Sequence, residues 1–121
     1  MNYLNEYKKW LSEKSLTNDE ILQLQNMSEK EIEDSFYQNI SFGTGGIRGL
    51  LGLGPNRINA YTIRKATLGL AKYLIKNNQL NGVAISYDNR FGSYEYAFEA
   101  AKVLASKNIK SFIFKELRPT P

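Results

Sequence analysis

Val83 to Phe114 reads V-A-I-S-Y-D-N-R-F-G-S-Y-E-Y-A-F-E-A-A-K-V-L-A-S-K-N-I-K-S-F-I-F, and its two ends are alike while its middle is not. Val83 to Tyr87 and Ile109 to Phe114 are short apolar runs of the kind shown by strands buried in a sheet. Between them Tyr94, Ala97, Phe98, Ala101, Leu104 and Ala105 recur every three to four residues. That spacing predicts a helix capped by Ser93, with the stripe facing inward. Strand, crossover helix and strand in this order form a right-handed βαβ unit with parallel strands. Ligands of such sheets bind in the crevice beyond the carboxyl ends of the strands. Asp88, Asn89 and Arg90 lie at that end of the first strand, and Leu117 to Pro121 at that end of the second. Asp88 and Arg90 could meet a ligand there, pair with each other or cap the following helix. Tyr94, Tyr96 and Phe98 read as helix packing rather than as a base-stacking platform, because no basic residue is interleaved with them.

Upstream of this unit, Asn59 can cap a helix that runs to about Asn77 with Ile63, Ala66, Leu70, Tyr73 and Leu74 on its apolar face. The first forty residues also read as helical. Tyr3, Leu4, Tyr7, Trp10 and Leu11 form one stripe, while Thr17 with Glu20 and Ser28 with Glu31 have capping-box spacing for two further helices, ending near Met27 and Tyr37.

Between the two helical regions lies Ser41 to Gly54, S-F-G-T-G-G-I-R-G-L-L-G-L-G, with six of the chain's nine glycines and Arg48 as its single charge. Glycine costs regular structure roughly 0.5 to 1 kcal/mol relative to alanine, so a segment this rich in it suits close backbone approach better than a helix. One use is a phosphate cradle of aligned backbone N–H groups. The dinucleotide fingerprint G-x-G-x-x-G fails, because Gly43 and Gly45 would require glycine where Arg48 stands, and no G-K-S or G-K-T exists for a P-loop. What remains is a loop folded around Arg48, whose guanidinium fork matches phosphate oxygens, with Thr44 adding a hydroxyl. A hairpin or bulge with a solvated arginine fits the same spacing.

The totals narrow the chemistry. The chain's 121 residues suit one domain, and 42% hydrophobic with 23% charged residues is an ordinary globular balance. Without cysteine or histidine there is no disulfide, thiolate nucleophile, Ser-His-Asp triad or His metal ligand. The net charge of +4 is compatible with phosphorylated substrates, yet the lysines sit where helices face water and no basic run suggests nucleic acid. The three aspartates, Asp19, Asp34 and Asp88, lie far apart, so no Asp-rich Mg²⁺ loop is present. No stretch approaches the roughly 20 apolar residues of a membrane span and no secretory leader is visible, so a cytoplasmic location is expected.

F-G-T-G-G-I-R-G at Phe42 to Gly49 resembles the opening motif of the α-D-phosphohexomutases, the phosphoglucomutase and phosphomannomutase superfamily. L-G-L-G-P-N-R-I-N-A-Y-T-I-R-K-A at Leu51 to Ala66 is similar to the branch of bacterial α-phosphoglucomutases and phosphopentomutase-type members. S-Y-D-N-R-F at Ser86 to Phe91 and L-R-P-T-P at Leu117 to Pro121 follow in that branch's order. The resemblance implies a partial three-layer α/β/α domain I with a mixed sheet (residues 41–121), preceded by an N-terminal helical extension (residues 1–40). It implies a four-domain parent enzyme that moves phosphate between C1 and C6 of a hexose through a phosphoserine and a bisphosphate intermediate, with Mg²⁺ bound in another domain. Arg48 matches the arginine that faces the phosphoserine and the substrate phosphate, and Thr44, Gly45 and Gly46 match the loop shaping that side. Asp88 and Arg90 align near the site. The family's Thr-Ala-Ser-His-Asn-Pro loop would follow Pro121, so the chain is expected to be a truncated part of domain I, inactive alone, binding no metal itself and partnered by a sugar phosphate and domains II to IV of its own polypeptide. The alternative is a free-standing, non-catalytic module for phosphate or sugar phosphate.

Overall fold

A computed structural model describes residues 2–40, 42–43, 46–47, 50–87 and 93–115. Its elements are α1 (Tyr3–Leu11), α2 (Asn18–Gln25), α3 (Glu29–Phe36), β1 (Phe42–Gly43), β2 (Gly46–Ile47), α4 (Ala60–Lys76), β3 (Val83–Tyr87), α5 (Ser93–Ser106) and β4 (Ser111–Lys115). The class is α/β. Contacts divide the chain into two compact units, Met1–Thr62 and Ile63–Pro121.

In the first unit, three short helices are each started by a side chain. Asn2 accepts from the N–H groups of Leu4 and Asn5 at the head of α1. Both capping boxes form: Thr17 Oγ1 accepts from Glu20 N at 3.2 Å while Glu20 Oε1 accepts from Thr17 N at 2.9 Å, and Ser28 with Glu31 repeats the exchange. Each cap satisfies N–H groups that a helix cannot pair internally, a contribution of about 1 kcal/mol. The helices converge on Leu24, Phe36 and Leu53, ringed by Tyr3, Tyr7, Trp10, Leu11, Leu16, Met27 and Ile32. Phe36 is wholly buried and makes T-shaped contacts with Tyr7 and Trp10, with centroids 5.5 and 5.7 Å away. Trp10 also meets Tyr61 at 5.8 Å, and the Tyr61 hydroxyl donates to Glu20 Oε1 at 2.8 Å.

In the second unit, β3 and β4 pair in parallel, from Val83 opposite Ser111 to Tyr87 opposite Lys115, with α5 as the crossover. Val83 and Ile85 pack with Ala71 and Leu74 of α4, Leu104 of α5 and Ile109. Both helices end alike. After α4, Gln79 N donates to Leu74 O and Asn78 N to Ile75 O, with Asn78 at φ 54°; after α5, Ile109 N donates to Leu104 O and Asn108 N to Ala105 O, with Asn108 at φ 60°. This is the Schellman closure with asparagine in the left-handed position, and Ile109 against Leu104 supplies its apolar contact. Arg64 of α4 and Lys102 of α5 both donate to Glu99, at 2.9 and 3.0 Å. These two hydrogen bonds, Arg64's the stronger, hold the Glu99 carboxyl below the usual carboxylate range.

Two expected apolar faces need correction. On α4 the buried positions are Thr62, Thr67 and Ala71, whereas Leu70 and Tyr73 are exposed. On α5, Ala97 and Leu104 face the core, whereas Tyr94, Phe98 and Ala105 are exposed. On α4, Ala71 packs with Leu104 and Ile109, while Thr62 is engaged by Asn59 and Arg57 within the first unit. Tyr94 and Phe98, one turn apart, instead stack on each other at 6.3 Å, with Tyr87 against one end and Lys102 Nζ over the other. The strands also differ from a doubly buried pair, because Ala84, Ser86, Phe112 and Phe114 point to an exposed face.

Candidate functional site

The glycine-rich segment opens as a hairpin. β1 and β2 run antiparallel, Phe42 opposite Ile47 and Gly43 opposite Gly46, so Gly46 is placed on the second strand. The hairpin expectation is met at these four residues, and it is compatible with either role for the arginine. Thr44, Gly45, Arg48, Asp88 and Arg90 lie outside the described residues.

The two flanks of this segment are both fixed to one short stretch of chain. On the amino side, Ile40 N donates to Pro55 O at 2.7 Å; on the carboxyl side, Ile58 N donates to Leu50 O at 2.8 Å, beside a parallel bridge between Leu51 and Ile58. Ile40 and Leu50, on either side of residues 41–49, are therefore both bonded to a stretch only four residues long.

That stretch is held from both sides. Toward α3, Asn56 N donates to Ser35 O at 3.0 Å and Asn56 Nδ2 to Asp34 O at 3.0 Å. Arg57 Nη1 reaches Asp34 O at 3.4 Å, and Arg57 Nη2 pairs with the Asp34 carboxylate. The last carbonyls of a helix have no intrahelical partner and carry its negative dipole end, so an arginine and an asparagine amide complement them. Gly54, at φ 115°, lets the chain pass so close that a Cβ there would lie 2.6 Å from Ser35 O. Toward α4, the buried Asn59 works in two directions. Its Oδ1 accepts from Thr62 N at 2.9 Å, capping the helix, while its Nδ2 donates to Gly52 O and Gly54 O at 2.9 and 3.1 Å. Thr62 Oγ1 closes the set by donating to Arg57 O at 2.8 Å.

Sequence reading gave Asn59 its capping role and missed Asp34, Arg57 and the second role of Asn59. The available signal was N-R-I-N directly after glycine and proline, four polar or branched residues where a plain connector would be looser.

Among the described residues, no group of three or more His, Cys, Asp or Glu side chains comes together. The Mg²⁺ implied by resemblance finds no such ligand set among them. Among the described residues, no helix is long and apolar enough to cross a membrane.

Comparison with known proteins gives the site its setting. Residues 39–121 match the family described as Phosphoglucomutase/phosphomannomutase, alpha/beta/alpha domain I. The chain is 43% identical over 97 residues to a protein named Phosphoglucomutase from Staphylococcus saprophyticus, covering 80% of this chain and 18% of that protein. It is 42% identical over 89 residues to the Staphylococcus haemolyticus Phosphoglucomutase, covering 74% and 16%, and 39% identical over 97 residues to that of Staphylococcus aureus. The chain thus spans less than a fifth of the length of these relatives. No solved structure matches it. A family match across more than two thirds of the chain, reinforced by relatives of this identity, makes the chain a member of the phosphoglucomutase/phosphomannomutase family, its residues 39–121 matching the α/β/α domain I.

Proposed function

We propose that this chain contributes the phosphate-facing wall of a phosphohexomutase that interconverts hexose 1-phosphate and hexose 6-phosphate. The carrying observation is the family match over residues 39–121, which includes the whole F-G-T-G-G-I-R-G segment. Residues 1–40 are its helical extension and residues 41–121 its part of domain I. A phosphoserine and the Mg²⁺ come from elsewhere in the full polypeptide, in the cytoplasm, and this chain without them is inactive. The serine's phosphoryl group passes to one sugar hydroxyl, giving a bisphosphate. The phosphate at the other carbon then returns to the serine.

Within this reading, Arg48 is the catalytic residue. Its guanidinium meets the transferring phosphate, where charge spreads over the equatorial oxygens and fixed donors stabilise the transition state. Thr44, Gly45 and Gly46 line the phosphate side of the loop, and Asp88 and Arg90, which follow β3 in sequence, are near-site residues with no direct ligand role. Hydrogen bonds to a charged group contribute about 1.5 to 3 kcal/mol each. In the full polypeptide supplied with Mg²⁺, Arg48→Ala is therefore expected to lower glucose 1-phosphate turnover by about 10²- to 10³-fold. Turnover at the wild-type rate would overturn the reading.

A further inference from the structure

We propose that Asn59 and Arg57 are positioning residues for the glycine-rich loop, holding both of its ends on one step between α3 and α4 and so setting where Arg48 meets phosphate. The inference rests on the role given to Arg48 above and extends it to residues that touch no substrate.

The argument is one of connectivity. The loop's entry, Ile40, is bonded to Pro55, and its exit, Leu50, to Ile58. Pro55 and Ile58 bracket Asn56 and Arg57, which are bonded to Asp34 and Ser35 at the end of α3. Asn59 follows directly and ties the carbonyls of Gly52 and Gly54 to the first turn of α4. Any movement of the step shifts both ends of the loop together, while slack in the step lets them part. A misplacement of about 1 Å at a reacting group can cost roughly 10²-fold in rate, so a site built on a glycine-rich loop needs its roots fixed. The chemistry of Asn59 suits both tasks at once: its oxygen caps the helix, and only its amide nitrogen reaches Gly52 and Gly54, just past the loop's exit. Arg57 has a comparable division, with its fork spanning the carbonyl and the carboxylate of Asp34.

That division provides the test. Asn59→Ser keeps an oxygen able to cap α4 but has no donor long enough to reach Gly52 and Gly54. Arg57→Lys keeps the charge and loses the fork. Amide hydrogen exchange on the chain is expected to accelerate at least about fivefold at Ile40 and Ile58 in both variants, with Ala71 and Leu74 in α4 unchanged, since each variant loses at least one hydrogen bond of the step. Unchanged exchange at Ile40 and Ile58 would overturn the proposal, as would equal acceleration throughout α4, which would mean a capping role alone.

In the full polypeptide, Asn59→Ser is expected to lower kcat at least about tenfold with KM within about threefold, and to have no added effect once Arg48→Ala is present. Independent, multiplying losses in the double variant would overturn it. If Arg48→Ala leaves turnover intact, the proposed function falls, and the exchange measurement still decides whether Asn59 and Arg57 hold the loop.

Discussion

The two units reach burial by different means. The first surrounds Phe36, Leu24 and Leu53 with apolar side chains drawn from three helices and a loop, and it closes its polar ends with caps and a network around residues 54–59. The second covers one face of a two-stranded sheet with two helices and leaves Phe112 and Phe114 on the other face 57% and 51% exposed. The second unit is the richer in apolar residues yet leaves these rings in water, so apolar content alone does not set burial. What counts is how much of it finds a partner.

The widest separation between the units should come from matched aromatic deletions. Phe36→Ala is expected to destabilise the first unit by about 3 to 5 kcal/mol, because it empties a wholly buried ring site with two edge contacts. Phe112→Ala should cost only about 1 kcal/mol, since more than half of the residue stays in water. Urea unfolding of both variants checks the contrast, and comparable losses would break it.

A smaller effect is expected at Gly54. Alanine there brings a Cβ against Ser35 O and a positive φ that side chains resist, costing about 1 to 3 kcal/mol. The loss should appear as faster exchange of the Asn56 and Ile58 amides, within the first unit only. A similar change around Leu104 would contradict the separation.

The smallest belongs to Glu99 in the second unit. Its folded carboxyl titrates below the unfolded value, so its pairing with Arg64 and Lys102 stabilises the protein above pH of about 4.3 and is lost as pH falls through the folded value. Glu99→Gln should therefore cost under about 1 kcal/mol at pH 7, because the partners are largely solvated, and nothing at a pH below the folded value. Urea midpoints at the two pH values check the sign.

What the sequence revealed, and what it did not, follows the same division. Thr17 with Glu20 and Ser28 with Glu31 are exchanges over three residues, so their geometry is local and readable as spacing. The strands β3 and β4 were readable because apolar runs flank a helical period. The faces of α4 and α5 were not, since periodicity finds an apolar stripe but cannot say which part of it gains a neighbour. Leu70, Tyr73, Tyr94 and Phe98 lie in that ambiguity. The bonds of Arg57 and Asn56 to Asp34 cross more than twenty residues, and no local pattern encodes them. Family resemblance named the loop around Arg48, whereas the step that holds its ends emerged only from hydrogen-bond partners.

The packing of Trp10 has a spectroscopic consequence. It is the chain's single tryptophan, and its neighbours Phe36 and Tyr61 both belong to the first unit. Selective indole emission therefore reports the melting of Met1–Thr62 and is blind to Ile63–Pro121, whereas far-ultraviolet dichroism sums the helices of both. Coincident curves from the two signals would mean that the chain unfolds as one cooperative body, and divergent curves would time the two halves separately without any label.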